Sequence, residues 1–153
     1  MSALEIKIAR KSYFHIGQEP LAALSDLRFK VDEGEFVSVV GPSGCGKTTL
    51  LNLIGGLDSD VDGSVLVNGV APEDGPVTGH MFQTPRLMPW LTVRDNISLV
   101  EKDSTTNGDR VDELLAEMGL ADFSDTYPAH LSGGMRRRVA LARAIMHTAG
   151  PAL

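Results

Sequence analysis

Residues 41–48 read Gly-Pro-Ser-Gly-Cys-Gly-Lys-Thr and satisfy the pattern GxxxxGK[ST] at every fixed position. The pattern constrains the fold because its chemistry works only between a strand and a helix. Both flanks are present. Ahead of it, Phe36-Val37-Ser38-Val39-Val40 is a nearly continuous apolar run of strand length, suited to a strand covered on both faces, as in a parallel sheet. Behind it, Thr49, Leu50, Leu51, Leu53 and Ile54 lie in a helical stretch that Gly55-Gly56 ends. The glycines let backbone N–H groups turn inward around an anion, and Gly46 carries no Cβ to obstruct phosphates. The helix opening near Lys47 adds the partial positive charge of its N-terminus. Lys47 is placed to reach the β- and γ-phosphates of a nucleotide, and the Thr48 hydroxyl to hold Mg²⁺. The candidate nucleotide-binding residues here are Gly41, Pro42, Ser43, Gly44, Cys45, Gly46, Lys47, Thr48 and Thr49. Cys45 has no base beside it in the sequence and reads as a spacer rather than a catalytic thiol.

The rest of the chain is organised around this loop. Leu4, Ile6 and Ile8 alternate with polar residues, as do Leu27, Phe29 and Val31, and both runs read as half-buried strands. Ser64 to Val67 with the turn Asn68-Gly69 predicts a short hairpin, and His80 to Gln83 a further short strand. Thr92 is placed to cap a helix running to about Leu99, and the polar stretch from Glu101 to Asp109 reads as a surface loop. Asp109 then caps a helix with the apolar stripe Val111, Leu114, Leu115 and Met118, closed by Gly119; Ser132 precedes a last helix from Met135 to about Thr148. The expected order is therefore β-rich first and helical second. Three segments follow from it: residues 1–86 carrying the strands and the phosphate loop, 87–148 forming a helical part, and 149–153 beginning another strand.

Charge and cysteine content exclude several functions. A formal net charge of -6 and a pI near 5.1 argue against a nucleic-acid binder. Arg136, Arg137 and Arg138 do not change that, since consecutive helix positions point about 100° apart and make no single groove-facing patch. One cysteine excludes an internal disulfide or a cysteine-based zinc cluster. His15, His80, His130 and His147 lack ligand spacing, so no metal is assigned to them. No apolar run approaches the roughly 18 residues of a spanning helix.

A second glycine pair, Leu131-Ser132-Gly133-Gly134-Met135, opens the last helix behind a serine cap. Alone it reads as a helix cap, but the phosphate loop lies about 85 residues upstream. Together with Met81-Phe82-Gln83 and the run Arg136 to Ala144, the pair resembles the ATP-binding subunits of ABC transporters, over essentially the whole chain. The fold this resemblance implies is α/β, a P-loop NTPase of the ABC ATPase type: a β-rich core with the phosphate loop, plus a helical subdomain bearing the signature loop. The family implies that Gln83 senses Mg²⁺ and the γ-phosphate and acts with Lys47 in catalysis. It implies that Tyr13, or its neighbour Phe14, stacks on adenine. Ser132, Gly133 and Gly134 would contact ATP held by a second subunit in a head-to-tail dimer.

The loop Leu87-Met88-Pro89-Trp90 and the run Thr92-Val93-Arg94-Asp95-Asn96 are similar to importers of nitrate, sulfonate, taurine and related small oxyanions; Met135 in place of the usual glutamine points the same way. Gly55-Gly56-Leu57-Asp58 and the stretch from Gln18 to Leu21 resemble the lipoprotein-releasing and macrolide-export ATPases instead. The implied partners are a second ATP-binding subunit, a transmembrane permease and, indirectly, a periplasmic or extracellular substrate-binding protein. The implied location is the cytoplasmic face of the membrane, and nucleic acid is not among the partners. By the family pattern, the chain stops about four residues before the Mg²⁺-binding aspartate and its neighbouring glutamate. It is therefore expected to be a fragment with an incomplete central sheet, which binds ATP and Mg²⁺ but has little or no hydrolytic activity alone.

Overall fold

The computed structural model describes residues 2–14, 16–17, 19–75, 78–100 and 108–148. Two compact units emerge, Met1–Val77 and Thr78–Leu153. Their division falls ahead of residue 86, the boundary expected between the β-rich and helical segments.

In the first unit, strand β1 (Ser2–Tyr13) lies between β2 (Leu21–Asp32) and β3 (Asp62–Val67), antiparallel to both. Ile6 faces Phe29 on one side and Val65 on the other. The alternation of the sequence is thereby realised, with Ile6 and Ile8 on the covered face together with Val65. Helix α1 (Lys47–Ile54) supplies Leu50 and Leu53 to that core, against which Leu4, Leu24, Leu27, Phe29, Ile54 and Val61 pack. Asn68 and Gly69 both take positive φ, the requirement of a tight two-residue turn, and Val67 and Val70 exchange both backbone hydrogen bonds across it. The returning arm is only that single bridge, so the main partner of β3 is β1 rather than a local strand.

Two expected strands are not formed. Residues 35–40 have no regular structure, and Phe36 and Val40 are 92% and 85% exposed. A parallel strand must pair its backbone on both sides and cover both faces. Among the described residues nothing supplies those neighbours, so the apolar run lies open. His80 to Gln83 likewise forms no strand, being irregular chain that ends in a bend. An open apolar run of this kind favours self-association. The double variant Phe36→Lys/Val40→Lys should therefore lower the light-scattering mass of concentrated protein while leaving the far-UV circular dichroism unchanged. Equal association by variant and parent would show that the run is not the adhesive surface.

The second unit is helical: α2 (Val93–Ser98), α3 (Gly108–Glu117) and α4 (Gly133–Thr148), with single 3-10 turns at Ala121–Phe123 and Pro128–His130. Its core joins Val93 and Ile97 to Val111, Leu114, Leu115, Leu120 and Leu131, and to Val139, Ala142 and Met146 of α4. Thr92 caps α2 as expected and forms a reciprocal capping box with Asp95. Helix α3 is already formed at Gly108, two residues before the start expected behind an Asp109 cap, so Asp109 stands in its first turn, where its charge still suits the helix N-terminus. Residues 101–107 of the expected surface loop, and the expected strand start at 149–153, lie outside the described residues. Gly119, at φ +61°, ends α3: its N–H bonds Ala116 and that of Leu120 bonds Leu115, the paired closure that favours glycine.

Candidate nucleotide-binding site

The phosphate loop joins residue 40 to α1 and is exposed from Gly41 to Cys45. Its tightest point is Gly46, the N-cap of α1, at φ +91°. A Cβ there would stand 2.5 Å from the Ala23 carbonyl oxygen and 2.7 Å from Leu24 Cδ2, so β2 leaves room for glycine alone. No side chain caps α1, and its first backbone bond runs from the Leu50 N–H to the Gly46 carbonyl at 2.9 Å. The preceding N–H groups of the first turn therefore have no intrahelical partner, as at any helix start, which leaves them available as anion donors.

Lys47 folds back over the loop. Its ammonium donates to the carbonyl oxygens of Gly41 at 2.8 Å and Pro42 at 2.7 Å, and lies 3.5 Å from Cys45 Sγ. The one fixed cation of the loop is thus held at its mouth by weak neutral acceptors, from which an anionic phosphate can take it. Thr48 is exposed beside it, whereas Thr49 is buried against the sheet, so the two hydroxyls do different work. The uncapped helix start, the Cβ-free cradle and an ammonium beside a hydroxyl fit a nucleotide phosphate with Mg²⁺.

Tyr13 is engaged elsewhere. Its hydroxyl donates to Asp58 Oδ2 at 3.3 Å and lies 3.4 Å from Thr49 Oγ1, while Lys11 Nζ sits 5.0 Å from its ring centroid. Phe14 next to it is 77% exposed, and of the two aromatics it is the one presented to solvent. Lys11 itself is only 3% exposed; its ammonium donates to Asp58 Oδ1 at 2.9 Å and also to the Asp60 carbonyl. Burial works to lower its pKa, but the hydrogen bonds it donates to the Asp58 and Asp60 carboxylates, with their negative charge, outweigh it and hold it above the ordinary lysine value. Burial likewise pushes Asp58 upward, and the bond to Lys11 together with the Asp60 N–H brings it below the ordinary aspartate value. Nothing in the sequence marked Lys11 for this role, because the pairing spans 47 residues of chain.

In the second unit, Gln83 is exposed at a bend. The aromatic before it has two close neighbours: the Arg86 guanidinium lies 3.9 Å from the Phe82 ring centroid, and the His80 ring lies 4.5 Å away on a tilted plane. The following loop to Trp90 is organised by Asn96, which is fully buried. Its Oδ1 accepts from the Met88 N–H at 2.8 Å, and its Nδ2 donates to the carbonyls of Met88, Leu91 and Thr92. A buried amide must satisfy both ends, and this loop is built to do so. Trp90 is 70% exposed, so little of its ring is covered by the described residues.

The signature loop opens α4. Ser132 Oγ accepts from the Met135 N–H at 3.2 Å, an ordinary N-cap. A Cβ on Gly133 would meet nothing within 4 Å, and one on Gly134 only Ser132 Oγ at 4.0 Å. Neither glycine has positive φ, so packing among the described residues requires neither of them. Of the three arginines that follow, Arg136 donates to the carbonyls of Pro128 and Leu131 and Arg138 to that of Met118, so both are used internally.

These features coincide with a family pattern. The model of the family described as ABC transporter matches residues 24–150, which covers the loop, Gln83 and the signature helix. This chain belongs to the ABC transporter family. The aliphatic sulfonates import ATP-binding protein SsuB 2 of Burkholderia cenocepacia (strain HI2424) is 46% identical over 144 residues, which is 93% of this chain and 51% of that protein. The aliphatic sulfonates import ATP-binding protein SsuB of Bacillus subtilis (strain 168) is 44% identical over 149 residues, 94% of this chain and 57% of that protein. The chain thus spans about half the length of these curated relatives. Among solved structures, the dimeric bacterial ABC transporter cassette MJ0796 matches with a TM-score of 0.79 at 32% identity, covering 94% of this chain and 69% of that one. A post-hydrolysis form of the same cassette, bound to ADP and Pi, matches equally. The fold is therefore that of an ABC ATPase cassette with a partial sheet.

Proposed function

We propose that the chain is the nucleotide-binding part of an ABC importer subunit that couples ATP to uptake of a small oxyanion, an aliphatic sulfonate before nitrate or taurine. The observation that carries nucleotide binding is the uncapped start of α1 at Gly46 with the Lys47 ammonium held beside it. In this reading the loop N–H groups of Gly41 and of Ser43 to Thr49, with Lys47, hold the phosphates, and the Thr48 hydroxyl holds Mg²⁺; a role for Gln83 toward Mg²⁺ is what the family resemblance implies. The metal ion would neutralise phosphate charge where the γ-phosphoryl group leaves. Phe14, the exposed aromatic at the end of β1, is the better platform for adenine than Tyr13, whose hydroxyl is tied to α1 and Asp58.

The open faces of Gly133 and Gly134 support a head-to-tail dimer, because their lack of side chains serves only an approach from outside this chain. The exposed Trp90, on a loop braced by Asn96, is suited to meet a permease at the cytoplasmic membrane face, with a substrate-binding protein acting through that permease. Asp58, one of the residues that resembled the export ATPases, is engaged by Lys11 and Tyr13 in a local framework, so it gives the export reading no separate weight.

Disrupting the gene in its host and following uptake of a labelled aliphatic sulfonate tests the transport reading. Loss of uptake of an unsubstituted alkanesulfonate, with nitrate uptake kept, is the expected result. Undiminished sulfonate uptake would refute the substrate assignment while leaving nucleotide binding to be judged by titration with Mg-ATP.

A further inference from the structure

Arg143 lies on α4, between two and three turns beyond the signature glycines, and has no part in the proposed nucleotide site. Its guanidinium fork is spent on two consecutive backbone carbonyls of the loop after Gln83: Nη2 donates to Pro85 O at 3.0 Å and Nη1 to Arg86 O at 3.1 Å. Among the described residues no carboxylate pairs with it, and burial holds its pKa below the ordinary arginine value. Even a partly buried guanidinium without a counter-ion carries a desolvation cost, and two carbonyls that offset it tie its fork to one turn of the loop. The loop it grips is strained. Arg86 takes φ +47°, a conformation that side-chain-bearing residues rarely hold, while its own guanidinium lies over Phe82, the residue before Gln83.

We propose that Arg143 is a positioning residue for Gln83: by gripping the carbonyls of Pro85 and Arg86 it locks the strained turn, and so ties the placement of Gln83 to the signature helix. The role assumed for Gln83 is that of the proposed function, but the clamp itself is a statement about this loop. Planar donors match two adjacent carbonyls in a way that one ammonium cannot.

Amide hydrogen exchange on the full chain tests it, with Arg143→Met and Arg143→Lys compared with the parent. Met fills similar space without a donor, and Lys restores one donor without the fork. The expected result is exchange at residues 83–91 faster by about tenfold in Met and by an intermediate factor in Lys, with the amides of α2, α3 and α4 unchanged. Parent-like exchange in the Met variant would overturn the proposal, since shape alone would then suffice. Acceleration spread evenly over the three helices would overturn it too, by showing a general packing role. If the Met variant does not fold, the Lys variant decides: faster exchange confined to 83–91 supports the clamp, and parent-like or uniformly faster exchange refutes it. Exchange reads the loop whether or not Gln83 contacts magnesium. Titration of Gln83→Ala with Mg-ATP tests that separate assignment, so either reading can fail alone.

Discussion

Lys47→Ala is expected to weaken Mg-ATP binding by at least about a hundredfold, on the order of 2.7 kcal/mol, in a calorimetric titration. The size follows from the loop's chemistry. In the structure the ammonium is held only by the neutral carbonyls of Gly41 and Pro42 and by the Cys45 sulfur. Exchanging those acceptors for phosphate oxygens converts neutral contacts into charge-assisted ones, and alanine forfeits all of that gain. Stability should hardly change, because the same contacts lie on an exposed loop, so a thermal melt separates lost binding from lost folding. Lys47→Arg keeps the charge but not its compact shape and should recover only part of the affinity. Affinity that survives Lys47→Ala would remove this loop from the nucleotide site.

Lys11→Met is expected to cost about 2 kcal/mol of stability, below the usual loss for a fully buried ion pair because Asp58 keeps 19% of its side chain exposed. That loss lowers the melting temperature by about 6 °C. Lys11 is nearly inaccessible, and its removal strands Asp58, which keeps only the Tyr13 hydroxyl and the Asp60 N–H. The pH dependence has a definite sign. Asp58 is held below its ordinary value, so its contribution is present above the ordinary aspartate range and is lost as pH falls through the lowered folded value. Lys11 is held above its ordinary value, so its contribution is complete below the ordinary lysine range and disappears as pH rises through the raised folded value. The gap in melting temperature between parent and variant should therefore be widest across neutral pH and should narrow in acid. A gap unchanged down to about pH 2, below the ordinary aspartate range, would show that lost packing of the lysine stem, not the ion pair, explains the cost.

Legibility differed by element. Caps and turns were plain, because their information is local: Thr92 with Asp95, Asn68-Gly69, Gly119 and Ser132 all stand where their side chains or their tolerance of positive φ are needed. The alternation of Leu4, Ile6 and Ile8 was equally plain, since a two-residue period has one covered face. Phe36 to Val40 was misread for the opposite reason. Its composition describes the surroundings a buried strand needs, and those surroundings are remote in sequence. The site divided in the same way. The phosphate loop is a contiguous motif and could be read directly, whereas Asn96, Arg143 and the Lys11–Asp58 pair act on backbone or side chains many positions away.

By itself, the sequence determined the family, the phosphate loop between residue 41 and α1, the signature loop at the start of α4, and the helices with their stops. Those are properties of residue type at short spacing, where the chain's own geometry does the placing. Only the tertiary structure decided that Tyr13 is tied to α1, that a buried lysine links β1 to the chain after α1, and that two carbonyls after Gln83 rest on an arginine of α4. Each of these depends on which polar group reaches which partner once water is excluded. Burial makes an unmet hydrogen bond expensive, and it is folding, not spacing, that selects the partner.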